Sequence, residues 1–173
     1  MRFIIPICLT ASLVFGATHT TKQTPAHTKV TTPAAATSAH TLSEFTLGHT
    51  VMGTGTLAEA KGKGVVLDFW GVNCPPCIRS LPDIQALSVK YKDKVNFYGV
   101  ESQGSDKAQI EPIIKKAGVT YPITTGYTKM PLNFTGIPHV AVFDSNGKMT
   151  FEGSPFDPEF EKAVEAASVP AKK

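Results

Sequence analysis

The chain has 173 residues, of which 42% are apolar, so its composition allows one folded domain with a substantial core and excludes a chain that is disordered throughout. The formal net charge of +3 comes from Arg2, Lys22 and Lys29, because the chain from residue 42 onward holds 14 basic and 14 acidic side chains. A nucleic-acid interface needs clustered basic residues that displace counterions from phosphates. The charge balance therefore argues against a nucleic-acid partner.

Residues 1–17, MRFIIPICLTASLVFGA, have the pattern of a secretory signal peptide: one Arg, an apolar stretch and then small residues. The apolar stretch, Phe3 to Phe15, is shorter than the ~20 residues that span a bilayer comfortably. We predict export to the periplasm or another extracytoplasmic compartment, with the signal either removed or kept as a membrane tether. A buried N-terminal helix or strand remains the alternative. Removal of the signal would leave Cys74 and Cys77 in a compartment that permits disulfides.

Residues 18–41 consist mainly of Thr, Ala, Pro and His, with almost no large apolar side chain. Such a segment buries too little surface to offset the entropy lost on ordering, so we predict a disordered linker followed by a folded domain at residues 42–170. The linker histidines His19, His27 and His40 are expected to be solvated, with weak metal binding as the alternative.

The chain from residue 42 onward alternates strand and helix patterns. In chain order we predict a short strand in EFTL (44–47), one helical turn in TLAEAKGKG (56–64), a strand in VVLDFW (65–70), a helix in PPCIRSLPDIQALSVKYKDK (75–94), a strand in VNFYGVE (95–101), a helix in SDKAQIEPIIKKAG (105–118), a hairpin in HVAVFDSNGKMTFEG (139–153) and a final helix in DPEFEKAVEAA (157–167). Strands separated by helices pair in parallel, and the late hairpin adds antiparallel strands. The order predicts an α/β fold with a mixed central sheet, helices on both faces and a short N-terminal β extension.

The motif CPPC, residues 74–77, follows the strand VVLDFW directly. Pro75 suits the first position of a helix, which makes Cys74 the N-cap and puts Cys77 one turn inside. The sulfur of Cys74 would then face unpaired backbone N–H groups and the positive end of the helix dipole, which favour a thiolate and lower its pKa. We predict that Cys74 attacks a substrate disulfide and that the more buried Cys77 resolves the resulting mixed disulfide.

Other uses of two cysteines are weaker but stay open. A structural zinc site takes four ligands, and the chain has no second cysteine pair. A purely structural disulfide over two intervening residues closes a loop too small to constrain the unfolded chain much. A copper-binding protein or metallochaperone would use Cys74 and Cys77 with His139 or a linker histidine. A thiol peroxidase is disfavoured because the Thr-x-x-Cys pattern around a peroxidatic cysteine is missing.

The stretch VVLDFWGVNCPPC resembles the thioredoxin superfamily. Together with the signal-like N-terminus, KYKDKVNFYGV and KKAGVTYPI, it is most similar to the TlpA/ResA-type periplasmic thioredoxins, over about residues 42–167. The resemblance implies a thioredoxin fold and an exported thiol-disulfide oxidoreductase, more a reductase than an oxidant, that acts on protein disulfides. It also implies that the Cys74–Cys77 disulfide is the redox centre without another cofactor or metal, that a membrane thiol-electron donor supplies electrons, and that cytochrome c maturation is a possible setting.

Three further positions take roles from this resemblance. Asp68 is costly to bury in an apolar strand, so we predict a raised pKa, and the resemblance implies that it accepts the proton of Cys77. An exposed strand face or a turn cap is the alternative for Asp68. The resemblance also implies a cis peptide bond between Ile137 and Pro138, opposite the cysteines, with the backbone of Ile137 available to an extended substrate. Trp70 is expected to pack beneath the active-site loop.

The active-site loop departs from the family pattern at two places. Asn73 stands where many relatives have Trp, which removes an aromatic contact next to Pro75 and Pro76 in the substrate-binding loop. Ser80 stands where many TlpA/ResA-type proteins have Glu. Because that acid belongs to the specialised cytochrome c reductases, its absence favours a broader disulfide-reducing role.

Overall fold

The computed structural model describes residues 40–54, 56–60 and 62–170. The predicted signal, 1–17, and the predicted linker as far as residue 39 lie outside the described residues. His40 and Thr41, which the predicted linker includes, belong to the fold. The N–H of Met149 donates to the carbonyl of His40 over 3.0 Å, and Thr41 forms an antiparallel bridge with Lys148. The folded domain therefore begins at least two residues before the predicted boundary.

The described residues form one six-stranded mixed sheet, three α-helices and two 3-10 turns. In chain order the elements are a 3-10 turn at Leu42–Glu44, β1 at Thr46–Met52, a 3-10 turn at Leu57–Ala60, β2 at Gly64–Trp70, α1 at Pro75–Lys90, β3 at Val95–Glu101, α2 at Lys107–Ala117, β4 at Ile123–Lys129, β5 at His139–Phe143, β6 at Met149–Gly153 and α3 at Pro158–Ala167. The strand order is β1-β4-β3-β2-β5-β6. None of the helices in this part of the chain is long and apolar enough to cross a membrane.

The mixed pairing follows the predicted pattern. β2 pairs in parallel with β3, and β3 pairs in parallel with β4. The hairpin of β5 and β6 adds antiparallel strands on the other side of β2, and β1 closes the far edge antiparallel to β4. β2 lies at the centre, and all seven of its residues are buried. The predicted α/β fold with a mixed central sheet is confirmed.

β4 was not predicted. Its sequence, ITTGYTK, contains three Thr and a Gly at position 126 with φ of 64°, and only its first two residues are buried. The segment lacks the apolar alternation that identifies a strand, because it is held by pairing with β1 and β3 rather than by burial of its own side chains. β1 also differs from prediction, since it runs to Met52 instead of ending at residue 47.

The two faces of the sheet are covered differently. One core cluster, which we call the helical core, joins β2 residues Val66 and Trp70 to buried residues of α1, α2 and α3. The opposite core contains Val65, Leu67 and Phe69 and is closed by the two 3-10 turns and by the segment 130–137. The prediction of helices on both faces is thus corrected: within the described residues, all three α-helices pack on one face.

Candidate active site

Cys74 and Cys77 form a disulfide at the first turn of α1. Cys74 is the N-cap, Pro75 is the first helical residue, and the N–H of Cys77 donates to Cys74 Sγ over 3.3 Å. This N–H is one of the donors that a helix N-terminus leaves without an internal partner. Cys74 retains 6% of its surface and Cys77 none, so the expected difference in burial is confirmed.

The carbonyl of Ile137 lies next to the sulfur of Cys74. The Ile137–Pro138 peptide bond is cis, as the resemblance implies, and the carbonyl oxygen of Ile137 is 3.7 Å from Cys74 Sγ. In the disulfide the sulfur carries no proton, so this is a contact and not a hydrogen bond. In the dithiol form the S–H of Cys74 could donate to that oxygen. Ile137 and Pro138 are partly exposed beside Cys74, which keeps 6% of its own surface exposed, so another chain could reach the disulfide from this side.

The active-site loop is held by the segment after β3. The N–H of Asn73 donates to Gln103 Oε1 over 2.8 Å, and the N–H of Ser102 donates to the carbonyl of Trp70 over 2.8 Å. A side chain at Gly71 would displace Gln103 from this position, because a Cβ there would lie 2.4 Å from Gln103 Cδ. These contacts fix the backbone that precedes Cys74, while the Asn73 side chain stays exposed. Sequence reasoning did not identify Gln103.

A buried carboxylate anchors the segment that carries Gln103. Glu101, at the end of β3, has none of its surface exposed. Its Oε1 accepts from the N–H of Gln103 over 3.1 Å and from the hydroxyl of Ser105 over 2.9 Å, and its Oε2 accepts from the N–H of Ser105 over 2.9 Å. Because a buried carboxylate needs such donors, Glu101 shapes this loop. The signal for Glu101 in the sequence is an acid at the end of an apolar strand.

Asp68 is buried in the middle of β2, with 1% of its surface exposed. Side chains alternate along a strand, so Asp68 lies on the same face as Val66 and Trp70, the face that carries Cys77 in the helical core. Its Oδ2 accepts a hydrogen bond of 3.2 Å from the hydroxyl of Tyr121, and its Oδ1 has no hydrogen-bond partner among the described residues. The alternative of an exposed strand face is therefore wrong.

Burial raises the pKa of Asp68 from 3.8 to about 7, and the hydrogen bond from Tyr121 opposes this rise. A carboxyl removed from water is harder to ionise, so the predicted direction of the shift is confirmed. A group that titrates near neutral pH can both accept and release a proton under physiological conditions. The role of Asp68 as proton acceptor for Cys77 stays a prediction.

The remaining predicted site residues surround the disulfide. Trp70 is fully buried in the helical core with both cysteines, and its Nε1 has no hydrogen-bond partner in the described part of the chain. Pro75 is exposed and Pro76 partly exposed at the start of α1. The buried Ser80 donates its hydroxyl to the carbonyl of Cys77 over 2.8 Å. The Ser80 hydroxyl is therefore hydrogen-bonded to the helix backbone, and this position contributes no carboxyl group to the site.

His139 does not join the cysteines. It lies on the opposite face of the sheet, with its ring stacked on Phe134 at 4.3 Å between centroids and its Nε2 3.1 Å from Glu152 Oε1. Burial lowers the pKa of His139, and Glu152 opposes this effect. The alternative copper site of Cys74, Cys77 and His139 is not assembled. Among the described residues, moreover, no three His, Cys, Asp or Glu side chains are grouped as metal ligands.

His40, the linker histidine that the structure describes, offers the copper alternative no support. His40 Nδ1 lies 3.5 Å from Glu44 Oε2, beside the first 3-10 turn, and the backbone of His40 is bonded to Met149. His19 and His27 lie outside the described residues.

Comparison with known proteins identifies the family. A model of the Redoxin family matches residues 34–167. The chain belongs to the Redoxin family. Among curated Redoxin-like relatives, the thiol-disulfide oxidoreductase ResA of Geobacillus thermodenitrificans is 35% identical over 97 residues, covering 54% of this chain and 55% of that protein. Protein SUPPRESSOR OF QUENCHING 1, chloroplastic, of Arabidopsis thaliana is 34% identical over 99 residues, covering 53% of this chain and 9% of that protein.

Solved structures with the same fold include a thiol:disulfide interchange protein of the thioredoxin family from Chlorobium tepidum. Its TM-score is 0.63 at 23% identity, covering 76% of this chain and 97% of that one. A putative protein disulfide isomerase from Bacteroides thetaiotaomicron has a TM-score of 0.60 at 24% identity, covering 73% of this chain and 85% of that one. The thioredoxin fold and the ResA-like resemblance are thus confirmed for this member of the Redoxin family. The chain spans about half the length of the ResA proteins that it matches.

Proposed function

We propose that this protein is a thiol-disulfide oxidoreductase that acts on protein disulfides through Cys74 and Cys77. The observation that carries the proposal is the disulfide at the N-terminus of α1, in which Cys74 keeps 6% of its surface exposed, Cys77 keeps none, and the N–H of Cys77 contacts the Cys74 sulfur. A helix N-terminus stabilises negative charge, so reduction of this disulfide gives a thiolate at Cys74 that is suited to nucleophilic attack. The names of the ResA relatives agree with this chemistry.

The reaction proceeds in two exchange steps. The Cys74 thiolate attacks one sulfur of the substrate disulfide, and the other substrate sulfur leaves with the electron pair of the broken bond. Cys77 then loses its proton and attacks Cys74 Sγ in the mixed disulfide. The second substrate sulfur leaves, and the Cys74–Cys77 disulfide forms. The substrate gains two electrons and the protein loses two, which gives the oxidised state seen in the structure.

The direction and setting belong to the same proposal. We propose that the protein is a reductase whose redox centre is the Cys74–Cys77 disulfide, without another cofactor. A membrane thiol-electron donor would return this disulfide to the dithiol form. Export by the signal-like N-terminus supports an extracytoplasmic site of action, as a free protein or one tethered by an uncleaved signal. Such a compartment contains the protein disulfides that a reductase would act on.

A role restricted to cytochrome c maturation is the narrower form of this proposal. The specialised reductases carry a Glu where this chain has Ser80, and the Ser80 hydroxyl is bonded to the carbonyl of Cys77. Asp68 is a buried acid on the face of the sheet that carries Cys77. We therefore propose a wider range of disulfide substrates.

Stoichiometric electron transfer to insulin tests the proposal. Reduced full-length protein is mixed with oxidised insulin, and the thiols of both are counted by mass spectrometry after acid quenching. We expect one Cys74–Cys77 disulfide to form for each insulin disulfide reduced. A double variant with Cys74→Ser and Cys77→Ser serves as the control. If wild-type protein reduces insulin no faster than this variant, the proposed activity is wrong.

A further inference from the structure

We propose that Tyr121 is a positioning residue that holds one oxygen of Asp68 and leaves the other for the proton of Cys77. This inference rests on the proposed function, since it concerns the step in which Cys77 resolves the mixed disulfide. Tyr121 is 5% exposed and belongs to the helical core together with Cys77. Its hydroxyl donates to Asp68 Oδ2 over 3.2 Å.

The backbone opposite Asp68 leaves room for the tyrosine ring. Gly99 of β3 is the register partner of Asp68. A Cβ on Gly99 would lie 2.4 Å from Ile123 Cδ1 and 3.2 Å from Tyr121 Cε2, so a larger residue would force both side chains to move. The absence of a side chain at Gly99 therefore lets the ring of Tyr121 lie beside β2 with its hydroxyl on the carboxyl.

The two carboxyl oxygens of Asp68 are consequently unequal. Oδ2 is occupied by Tyr121, whereas Oδ1 has no partner among the described residues although it is fully buried. An unpaired buried oxygen is costly and calls for an explanation, and a role in proton transfer is one that fits this site. When Cys77 attacks Cys74 Sγ, its S–H proton passes to Oδ1, directly or through water. The electron pair of the broken S–S bond leaves on the substrate sulfur.

Besides Tyr121, just before β4, the titratable residues of the helical core are Cys74 and Cys77 at the start of α1, with Tyr91 at its end packed against the core. Glu101 of β3, two residues beyond Gly99, lies on the same face of the sheet, and its carboxyl accepts from the N–H groups of Gln103 and Ser105 and from the Ser105 hydroxyl. The strands on either side of Asp68 present Gly99 and Val140, which carry no charge. Burial and the neighbouring Asp68 carboxyl raise the pKa of Tyr121 well above 10. Tyr121 therefore stays a donor over the range in which Asp68 titrates, and its hydrogen bond favours the ionised carboxylate.

Replacing Tyr121 with Phe tests the inference without removing the ring. We expect the Asp68 titration, followed by carbon NMR of labelled Asp in the full-length oxidised protein, to move up by about 0.5 to 1 pH unit, because one hydrogen bond to the ionised form is lost. The signal is assigned by its disappearance in Asp68→Asn. The second readout is a mixed disulfide formed between the reduced protein and a model disulfide. The pH profile of the rate at which Cys77 releases the bound thiol should show the same upward shift.

Tyr98→Phe is the matched control. Tyr98 is also buried and its hydroxyl donates to the carbonyl of Thr56 over 3.2 Å, but it lies in the opposite core. It should leave the Asp68 titration unchanged. An unchanged titration in Tyr121→Phe, or an equal shift in both variants, overturns the inference. The NMR titration needs no disulfide exchange, so failure of the proposed activity would be seen separately. In that case insulin would not be reduced, while Tyr121→Phe would still shift the Asp68 titration.

Should Tyr121→Phe fail to fold, incorporation of 3-fluorotyrosine keeps ring and hydroxyl while making the hydroxyl a stronger donor. We then expect the Asp68 titration to move down from about 7. An unchanged or upward movement would overturn the inference as well.

Discussion

The oxidised wild-type protein will lose stability as pH rises from about 4 to about 7, and the Asp68→Asn variant will lack this contribution to the loss. The pKa of Asp68 is raised by burial from 3.8 to about 7, so the folded protein retains this proton at pH values where the unfolded chain has released it. The folded state therefore gains most from Asp68 below pH 4, and this gain disappears as pH rises through 7. At 1.36 kcal/mol per pH unit, the free energy of unfolding should fall by on the order of 4 kcal/mol over this range.

Urea unfolding of the oxidised protein at a series of pH values measures this effect. The difference between wild type and Asp68→Asn isolates the Asp68 contribution from other titrating groups. Asp93→Asn is the control, since it removes an exposed carboxyl from the turn after α1 and should leave the slope unchanged. A slope in Asp68→Asn as steep as that of wild type would show that the carboxyl titrates as it does in water.

Single replacements of the two cysteines will have opposite effects on the mixed disulfide. Cys77→Ser should accumulate a covalent adduct with a disulfide substrate through Cys74, because the resolving sulfur, held against Cys74 in the structure, is gone. Loss of this intramolecular attack should lengthen the life of the adduct at least about a hundred-fold. Cys74→Ser should form little adduct and should reduce insulin no faster than the double variant, because Cys77 has no exposed surface.

Non-reducing electrophoresis and intact mass follow these adducts over time. Ser88→Ala is a suitable control, because Ser88 lies further along α1 and its hydroxyl donates to a helix carbonyl, that of Gln85, over 2.8 Å. It should behave as wild type. Equal adduct yields from Cys74→Ser and Cys77→Ser would contradict the assigned division of labour between the two sulfurs.

The parts of this molecule that were predicted correctly are those set by neighbours in sequence. The continuous apolar run of β2 predicts a central buried strand, and Pro75 next to Cys74 predicts the start of α1 with its N-cap. These depend on local conformational preferences and on burial of one segment. The family resemblance added the cis bond before Pro138, which local preference alone would not have supported.

The parts that were missed depend on contacts between distant residues. Tyr121 meets Asp68 across 53 residues of sequence, and Gln103 meets Asn73 across 30. Neither contact leaves a periodic or spacing signal, since a tyrosine or glutamine at these positions is compatible with many environments. β4 was missed for a related reason: its Thr-rich sequence becomes a strand through its neighbours β1 and β3.

Alkylation of the reduced full-length protein by iodoacetamide, followed by peptide mass mapping across pH 5 to 10, tests the central claim most directly. The account predicts that Cys74 is modified first, with an inflection below ~8.5, the value of an ordinary thiol, because Cys74 caps α1 and accepts from the N–H of Cys77. Cys77, buried behind it, should react much more slowly. Modification of Cys77 before Cys74, or an inflection for Cys74 at or above ~8.5, would contradict the claim that Cys74 is the nucleophile.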